Sequence, residues 1–300
     1  MTIINVEGIG VNITNPNKIL WPMLGITKIE YLKKLTVIAD SLIKYTKGRL
    51  LTTIRYPDGV NNSSFFQKNT PNYAPKWIDT YKNEDKNYIL LNKLATLIWL
   101  GNQGSLEFHI SFNTINNPLN PSSLVFDLDP FKEQDFDEVI EVALLVHETL
   151  EQLHLKNYVK TSGATGLQIF IPLGNKYNYL EARNINAFFA KYFSDKYPTK
   201  ITTERMIKNR GRKLYFDYLQ IWEGKTIIAP YSPRGTNDAT VSMPLTWEEL
   251  KKGVRPKDFN LLNIEERLVK NDLFENVMHE NNNEGLDYIL EVVGGKLELK

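Results

Sequence analysis

A mixed α+β fold is what this 300-residue chain predicts, on three observations. Apolar residues recur at helical spacing in several long stretches. Short β-branched and aromatic runs are bounded by turn residues, as strands are. The two kinds of element alternate through the middle of the chain, while its ends are less regular. Thr27-Lys28-Ile29-Glu30 forms a capping-box pattern, and Leu32, Leu35, Ile38, Ala39, Leu42 and Ile43 follow it at helical spacing, so a helix is expected over 28–45. A second helix is expected over 91–102, then strands over 106–111 and 123–129. An amphipathic helix over 136–153 precedes strands at 158–162 and 167–172, which meet at a Gly-x-x-Gly turn. A helix over 180–193 leads to a hairpin of 213–221 with 225–229. Residues 246–252 and 264–276 read as helical, and the polar tract 279–285 as a loop. Residues 1–100 are set apart as a lobe, although no Pro/Gly/Ser-rich linker marks a boundary.

The composition, 42% hydrophobic, supports one large domain or two closely packed subdomains. There is no cysteine, which excludes a disulfide framework, a thiolate zinc site and a cysteine nucleophile. The first residues lack the basic and apolar regions of a signal peptide. No run approaches the roughly 20 apolar residues of a membrane span; the stretch 88–100 is broken by Asn92 and Lys93. A soluble, cytoplasmic protein is expected. The net charge of +1 hides an uneven distribution. Residues 1–100 carry 13 Lys+Arg against 7 Asp+Glu, residues 121–160 carry 3 against 9, and residues 200–235 carry 8 against 3. Basic flanks around an acidic centre suit a protein that holds metal ions centrally and phosphates around them; ordinary surface variation would give the same counts.

The acidic centre has one sharp feature, Val125-Phe126-Asp127-Leu128-Asp129-Pro130. Side chains alternate along a strand, so Asp127 and Asp129 share a face with their Cα atoms about 6.6 Å apart. Two such acids repel, and one takes up a proton unless a divalent cation is bound. Carboxylate oxygens suit Mg²⁺ or Mn²⁺. The other reading ends the strand at Leu128 and gives Asp129 to a turn. A third acid, Asp217, stands in the apolar run Leu214-Tyr215-Phe216-Asp217-Tyr218-Leu219. It is either a metal ligand or the partner of Arg210, Arg212 or Lys213. Three acids from two strands are the ligand set of a two-metal site, in which the ions clamp attacking and leaving oxygens.

Four further features bear on phosphate and base recognition. The turn Thr161-Ser162-Gly163-Ala164-Thr165-Gly166 can present backbone amides and hydroxyls to an anion, or simply join two strands; no Gly-Lys-Ser/Thr follows, so it is not a Walker loop. Arg234, between Pro233 and Gly235, sits on a constrained turn that could aim its guanidinium at a phosphate or leave it in solvent. His109 shares a strand face with Glu107 and Ser111. Phe65 and Phe66 are adjacent aromatics on opposite strand faces, one of them available to stack on a base.

Taken together these motifs resemble the polymerase domain of bacterial ATP-dependent DNA ligase D, a branch of the archaeo-eukaryotic primase superfamily. The resemblance covers about residues 5–275. Its motifs occur in the family's order: Thr14-Asn15-Pro16-Asn17-Lys18 with Trp21-Pro22; Phe65-Phe66-Gln67-Lys68; Leu106-Glu107-Phe108-His109; Val125 through Pro130; Thr161-Ser162-Gly163 through Gly166-Leu167-Gln168; Phe216-Asp217-Tyr218-Leu219-Gln220; and Lys225-Thr226 through Ala229-Pro230-Tyr231-Ser232-Pro233-Arg234-Gly235. The resemblance implies a primase-like mixed sheet flanked by helices in a catalytic lobe at 105–300. An N-terminal α/β lobe at 1–104, carrying the DNA contacts, packs with it in a single primase-polymerase domain. It implies that Asp127, Asp129 and Asp217 are catalytic and hold two Mn²⁺ or Mg²⁺ ions. It places the incoming nucleotide against His109, Ser162, Gly163, Thr165, Gly166, Gln168, Gln220 and Arg234. Asn15, Lys18 and Lys28 would receive the 5′-phosphate at a break, Phe65 and Phe66 would stack on template bases, and Arg210 would lie on a mobile loop. Family members often carry Lys where Thr165 stands and His where Gln168 stands. The first departure removes a phosphate-facing charge, and the second keeps hydrogen bonding without a proton to give.

The activity implied is addition of ribo- or deoxynucleotides to a 3′-hydroxyl at gaps and double-strand break ends. The implied partners are DNA with gaps or 3′ overhangs and a 5′-phosphate, NTP or dNTP, a Ku-type protein and a DNA ligase; no membrane is involved. Two other classes fit parts of the sequence. Val-Phe-Asp-Leu-Asp also resembles the first motif of haloacid-dehalogenase phosphatases, but Pro130-Phe131 replaces the usual continuation. A non-catalytic module binding DNA ends at their 5′-phosphate would use the basic pocket without the acids.

Overall fold

The computed structural model describes residues 2–131, 134–268 and 272–293. Its two compact units alternate along the chain. The first comprises Met1–Ser111, Thr226–Met243 and Pro256–Asp272, and the second Phe112–Lys225, Pro244–Arg255 and Leu273–Lys300.

In the first unit, β1 (Thr2–Val6) and β2 (Ile9–Ile13) form a hairpin, and β3 (Ile19–Trp21) pairs with β4 (Ile26–Thr27). Helix α1 (Lys28–Thr46) opens with the expected capping box, in which Thr27 Oγ1 accepts from the Glu30 amide and the Glu30 carboxylate accepts from the Thr27 amide. Then come β5 (Leu51–Arg55), β6 (Phe65–Gln67), β7 (Thr80–Asn83), β8 (Lys86–Ile89), α2 (Leu94–Asn102) and β9 (Ser105–Ser111). Helix α2 is apolar nearly all round, and it is buried on all sides beside α1.

The second unit starts with β10 (Ser123–Asp129), α3 (Phe136–Gln152), β11 (Tyr158–Thr161), β12 (Leu167–Pro172), α4 (Tyr179–Lys196), β13 (Ile201–Thr202) and β14 (Leu214–Phe216). The chain then gives β15 (Thr226–Ile228) to the first unit and returns with β16 (Pro244–Leu245) and α5 (Trp247–Lys251). Helix α6 (Ile264–Leu268) belongs to the first unit and α7 (Asn283–Val293) to the second.

Each unit is organised by one sheet. In the first the strand order is β15-β9-β5-β6, all antiparallel. In the second it is β13-β14-β10-β12-β11-β16, antiparallel except for β13 with β14. Strand β10 is central, and its even residues pack toward α4: the Phe126 ring lies 5.3 Å from that of Phe189 and 4.9 Å from that of Phe216. Alternation therefore turns Asp127 and Asp129 to the opposite face.

Three expectations need correction. Residues 213–221 and 225–229 do not form a hairpin. Leu214–Phe216 pairs with β10 and β13, while Thr226–Ile228 pairs with β9. Phe216 is fully buried against Phe126 and Phe193, and that packing holds β14 in its own sheet. No continuous helix spans 264–276: α6 is described over Ile264–Leu268, residues 269–271 lie outside the described ones, residues 272–274 are not helical, and a 3₁₀ turn covers Glu275–Met278. The polar tract 279–285 is a loop only in its first half, because Asn283 begins α7, whose Leu286 is buried.

Candidate active site

The three acids lie at one end of the neighbouring strands β10 and β14 in the second unit's sheet. Strands β10 and β14 pair Leu128 with Phe216 and Asp129 with Tyr215. The ladder continues past β14, where the Asp217 amide donates to the Asp127 carbonyl at 3.1 Å. Burial pushes the Asp127 carboxyl up to about 7, and the charges of Asp129 and Asp217 push the same way; a hydrogen bond from Gln168 and the charge of Lys160 oppose them. Gln168 Nε2 donates to Asp127 Oδ1 at 3.0 Å. Asp217 Oδ1 accepts from the Tyr215 hydroxyl at 3.1 Å and the Leu219 amide at 3.0 Å. The charges of Asp129 and Asp217 are thus in electrostatic reach of Asp127. Among the described residues no three His, Cys, Asp or Glu side chains close on a common point as around an ion. The donor set still suits a hard divalent cation: all three candidates are carboxylates, and a cation offsets both the burial and the neighbouring charges that push Asp127 upward.

Lys160 was not singled out from the sequence. It is fully buried, and it stands in cross-strand register with Gln168, which stands in register with Asp127. A lysine following Tyr158 and Val159 in a strand was the available signal.

The glycine turn rests against the acids. Gly163 has φ +74, and a Cβ on Gly166 would lie 2.5 Å from the Leu128 carbonyl oxygen and 3.6 Å from Asp129 Oδ1. Only glycine lets the turn approach β10 so closely. Ser162 Oγ accepts from the Ala164 amide at 3.2 Å and the Gly166 amide at 3.1 Å. Those two amides are turned onto Ser162, and Thr165 is exposed. Gln220 lies on the turn after Asp217. Arg210 follows a 3₁₀ turn at Ile207–Asn209, and its guanidinium lies 3.8 Å from the Tyr215 ring centroid.

His109 and Arg234 both belong to the first unit, where they converge on Glu107. His109 Nε2 lies 3.0 Å from Glu107 Oε2, and Arg234 Nη1 lies 3.0 Å from the same oxygen. Glu107 Oε1 accepts from the Tyr56 hydroxyl and the Gly235 amide, both at 3.1 Å. An ionised carboxylate only accepts, so the imidazole carries its proton on Nε2. Burial alone would raise the Glu107 carboxyl; His109, Arg234 and the Gly235 amide outweigh it and hold it below the usual glutamate range. A Cβ on Gly235 would meet the Tyr56 ring at 2.2 Å, so this close approach also requires glycine. Arg234 Nε is buried and has no acceptor, leaving one donor of the guanidinium uncommitted. Glu107 is the organising residue that sequence reasoning missed as such; its place on the face of His109 was the signal.

Elsewhere in the first unit, Asn15 takes φ +48, and Lys28 Nζ donates to the Thr14 carbonyl at 2.7 Å. Burial, then the charges of Lys18 and Arg55, push the Lys28 ammonium down from its ordinary value. Lys18 pairs with Asp58. Three cations thus gather where the loop 14–18 meets the start of α1. Phe65 and Phe66 lie on the edge strand β6, 46% and 69% exposed. The Arg55 guanidinium lies 5.2 Å from the Phe65 ring centroid and bonds Gln67 and Tyr73. Among the described residues no helix is long and apolar enough to cross a membrane.

A family model, the LigD primase-polymerase domain, matches residues 27–274. A bifunctional non-homologous end joining protein LigD of Bacillus subtilis is 39% identical over 258 residues, which are 86% of this chain and 42% of that protein. A multifunctional non-homologous end joining protein LigD of Mycolicibacterium smegmatis is 34% identical over 247 residues, 80% of this chain and 32% of that one. The chain thus spans less than half the length of these relatives. Among solved structures, the polymerase domain of Mycobacterium tuberculosis ligase D in complex with DNA superposes with a TM-score of 0.82 at 28% identity, covering 91% of this chain and 99% of that one. The chain belongs to the LigD primase-polymerase domain family.

Proposed function

We propose that this chain is a DNA repair polymerase of non-homologous end joining, adding ribo- or deoxynucleotides to a 3′-hydroxyl at gaps and break ends. The observation that carries the reading is the set of Asp127, Asp129 and Asp217 at one end of β10 and β14, with Asp127 destabilised as an anion by burial and then by the other two charges. Asp127, Asp129 and Asp217 would hold two Mn²⁺ or Mg²⁺ ions. When bound, such ions acidify the attacking hydroxyl and neutralise the leaving pyrophosphate. Gln168 holds the Asp127 oxygen in place from the next strand. Arg234 and His109, oriented by Glu107, offer donors to a triphosphate, and the buried Nε of Arg234 is the donor still to be used. Ser162, Gly163, Thr165, Gly166 and Gln220 complete the nucleotide contacts in this reading.

Lys18, Lys28 and Asn15 at the start of α1 are suited to a terminal phosphate, because the positive end of the helix adds to two ammonium groups. Phe65 and Phe66 present ring faces to unpaired bases. DNA is held by the M. tuberculosis polymerase domain named above, and we extend that ligand to this chain. A Ku-type protein and a DNA ligase would act with it, since the relatives named above are end-joining proteins.

Primer extension on a gapped duplex with a recessed 5′-phosphate, in Mn²⁺, tests the proposal. Templated addition by the wild type, abolished in Asp127→Ala/Asp129→Ala, is the expected result. A wild type that adds nothing while binding the DNA through its 5′-phosphate would favour an end-binding module instead.

A further inference from the structure

Between β13 and β14 of the second unit the chain runs Glu204-Arg205-Met206-Ile207-Lys208-Asn209-Arg210-Gly211-Arg212-Lys213, five cations against one acid. At its tip Ile207 is 77% exposed, the most exposed large apolar side chain among the described residues, and Met206 beside it is 52% exposed. The tip is a built turn. The Met206 amide donates to Glu204 Oε1 at 2.9 Å, and the Asn209 amide to the Met206 carbonyl at 2.8 Å. Arg210 Nε donates to the Glu204 carbonyl and Nη2 to the Arg205 carbonyl, both at 3.0 Å. The same guanidinium stacks on Tyr215, whose hydroxyl bonds Asp217 Oδ1. The turn is therefore tied to the acid edge by a chain of contacts ending on Asp217. It spends its hydrogen bonds on holding two adjacent apolar side chains in water, with Arg205, Lys208 and Arg212 exposed around them.

We propose that Met206 and Ile207 form a wedge that covers the terminal base pair at the 3′-end of a nucleic acid strand, while the surrounding cations hold its phosphates. Methionine and isoleucine are among the side chains that enter base steps, where they unstack or cap them. Cations alone would read any duplex through its phosphates; the apolar tip adds a preference for an end. Tethering to Asp217 makes that end the 3′ one, since the acid edge acts on a 3′-hydroxyl. This inference rests on the polymerase reading above.

The test uses the full chain, a duplex with a recessed 3′-end carrying 2-aminopurine as its terminal base, and a closed dumbbell duplex of the same sequence. Binding and fluorescence of the wild type are compared with Met206→Ser/Ile207→Ser and Ile207→Phe. The serine pair is expected to bind the 3′-ended duplex about fivefold more weakly, the lower end of what one stacking side chain contributes. It should lose the 2-aminopurine response and bind the dumbbell unchanged, and Ile207→Phe should keep the response. Equal losses on both duplexes, or none on either, would overturn the wedge. So would loss of binding to phosphatidylserine vesicles with DNA binding intact, which would make the loop a membrane contact. Primer extension by the wild type, run alongside, separates the two readings. Extension with unchanged end binding in the serine pair sinks only the wedge, whereas failure of the wild type to extend sinks the polymerase.

Discussion

Asp127→Asn should abolish nucleotide addition and, in EDTA, make the protein more stable. Asp127 carries a charge that the fold resists, its carboxyl standing at about 7 against an ordinary value of 3.8. Because the folded state holds this proton more tightly than the unfolded chain, stability falls as pH rises from about 4 to about 7 and then levels off. At about 1.4 kcal/mol per pH unit the full penalty above pH 7 is on the order of 4 kcal/mol. The side chain is partly open to solvent and its neighbours relax, so roughly half of that is the better expectation. Asparagine keeps the oxygen that accepts from Gln168 and removes the charge. Thermal unfolding at pH 8 in EDTA should therefore show a midpoint raised by about 4 °C or more, shrinking toward zero at pH 4. Added Mn²⁺ should raise the midpoint of the wild type by binding only the folded state, and leave the variant nearly unmoved. An Asp127→Asn midpoint equal to or below the wild-type value at pH 8, with the folded spectrum intact, would refute the claim that burial and the neighbouring acids disfavour the Asp127 charge in the absence of a cation.

Glu107→Gln should cost about 2–4 kcal/mol, because its amide NH2 replaces one carboxylate oxygen and so opposes either His109 and Arg234 or Tyr56 and the Gly235 amide, and because it leaves a guanidinium without its anion; urea unfolding measures this, and the KM for nucleotide should rise with it. The Glu107 carboxyl lies below its ordinary value, so its contribution is present above about pH 4.3 and is lost as pH falls through the folded value; the variant should lack that acid limb. Gly166→Ala places a Cβ 2.5 Å from the Leu128 carbonyl, forcing the turn off the acid edge, and kcat should fall by about 10²-fold with far-UV circular dichroism unchanged. Phe66→Ala should change stability by less than about 0.5 kcal/mol and weaken binding of gapped DNA by about 1–3 kcal/mol, read by anisotropy. Lys28→Met should bring together the Kd values of gapped DNA with and without a 5′-phosphate, and equal loss on both substrates would refute a phosphate-specific pocket.

What the sequence made legible was local. The capping box at Thr27 to Glu30 opens α1 where its pattern said it would, and β10 runs over the expected residues, Ser123–Asp129. Alternation along β10 put Asp127 and Asp129 on a face away from Phe126, and the α4 packing fits that face assignment. What was lost was pairing over distance. The three residues of β15 match a strand anywhere, and their partner β9 lies more than a hundred residues earlier in the chain. For the same reason a single cut near residue 104 has no counterpart in the units, since Thr226–Met243 and Pro256–Asp272 join the first. Glu107 looked like the neighbour of His109; its role as hub depends on Tyr56 and Gly235, 51 and 128 positions away. Helix α7 began inside a polar tract, where three asparagines concealed the spacing of Leu286 and Ile289.

The two charged clusters differ in a way that separates scaffold from chemistry. Glu107 sits among four donors and its carboxyl is held low; it needs nothing further, and its effect is to fix His109 and Arg234. Asp127 of the other unit is under-compensated. Gln168 supplies one hydrogen bond to Asp127, Lys160 a nearby charge, and the carboxyl is still pushed up to about 7. A fold shaped only by stability would replace such a residue, since an apolar or amide side chain there costs less. Retaining Asp127, buried and beside two further acids, makes sense when a ligand of opposite charge completes it, and the stability lost without it returns as affinity for that ligand. The same reasoning applies to Arg234, whose Nε is buried without an acceptor beside an otherwise saturated network. Each unit therefore keeps one polar group that its own residues leave short of compensation: the Asp127 carboxyl in the second and Arg234 Nε in the first.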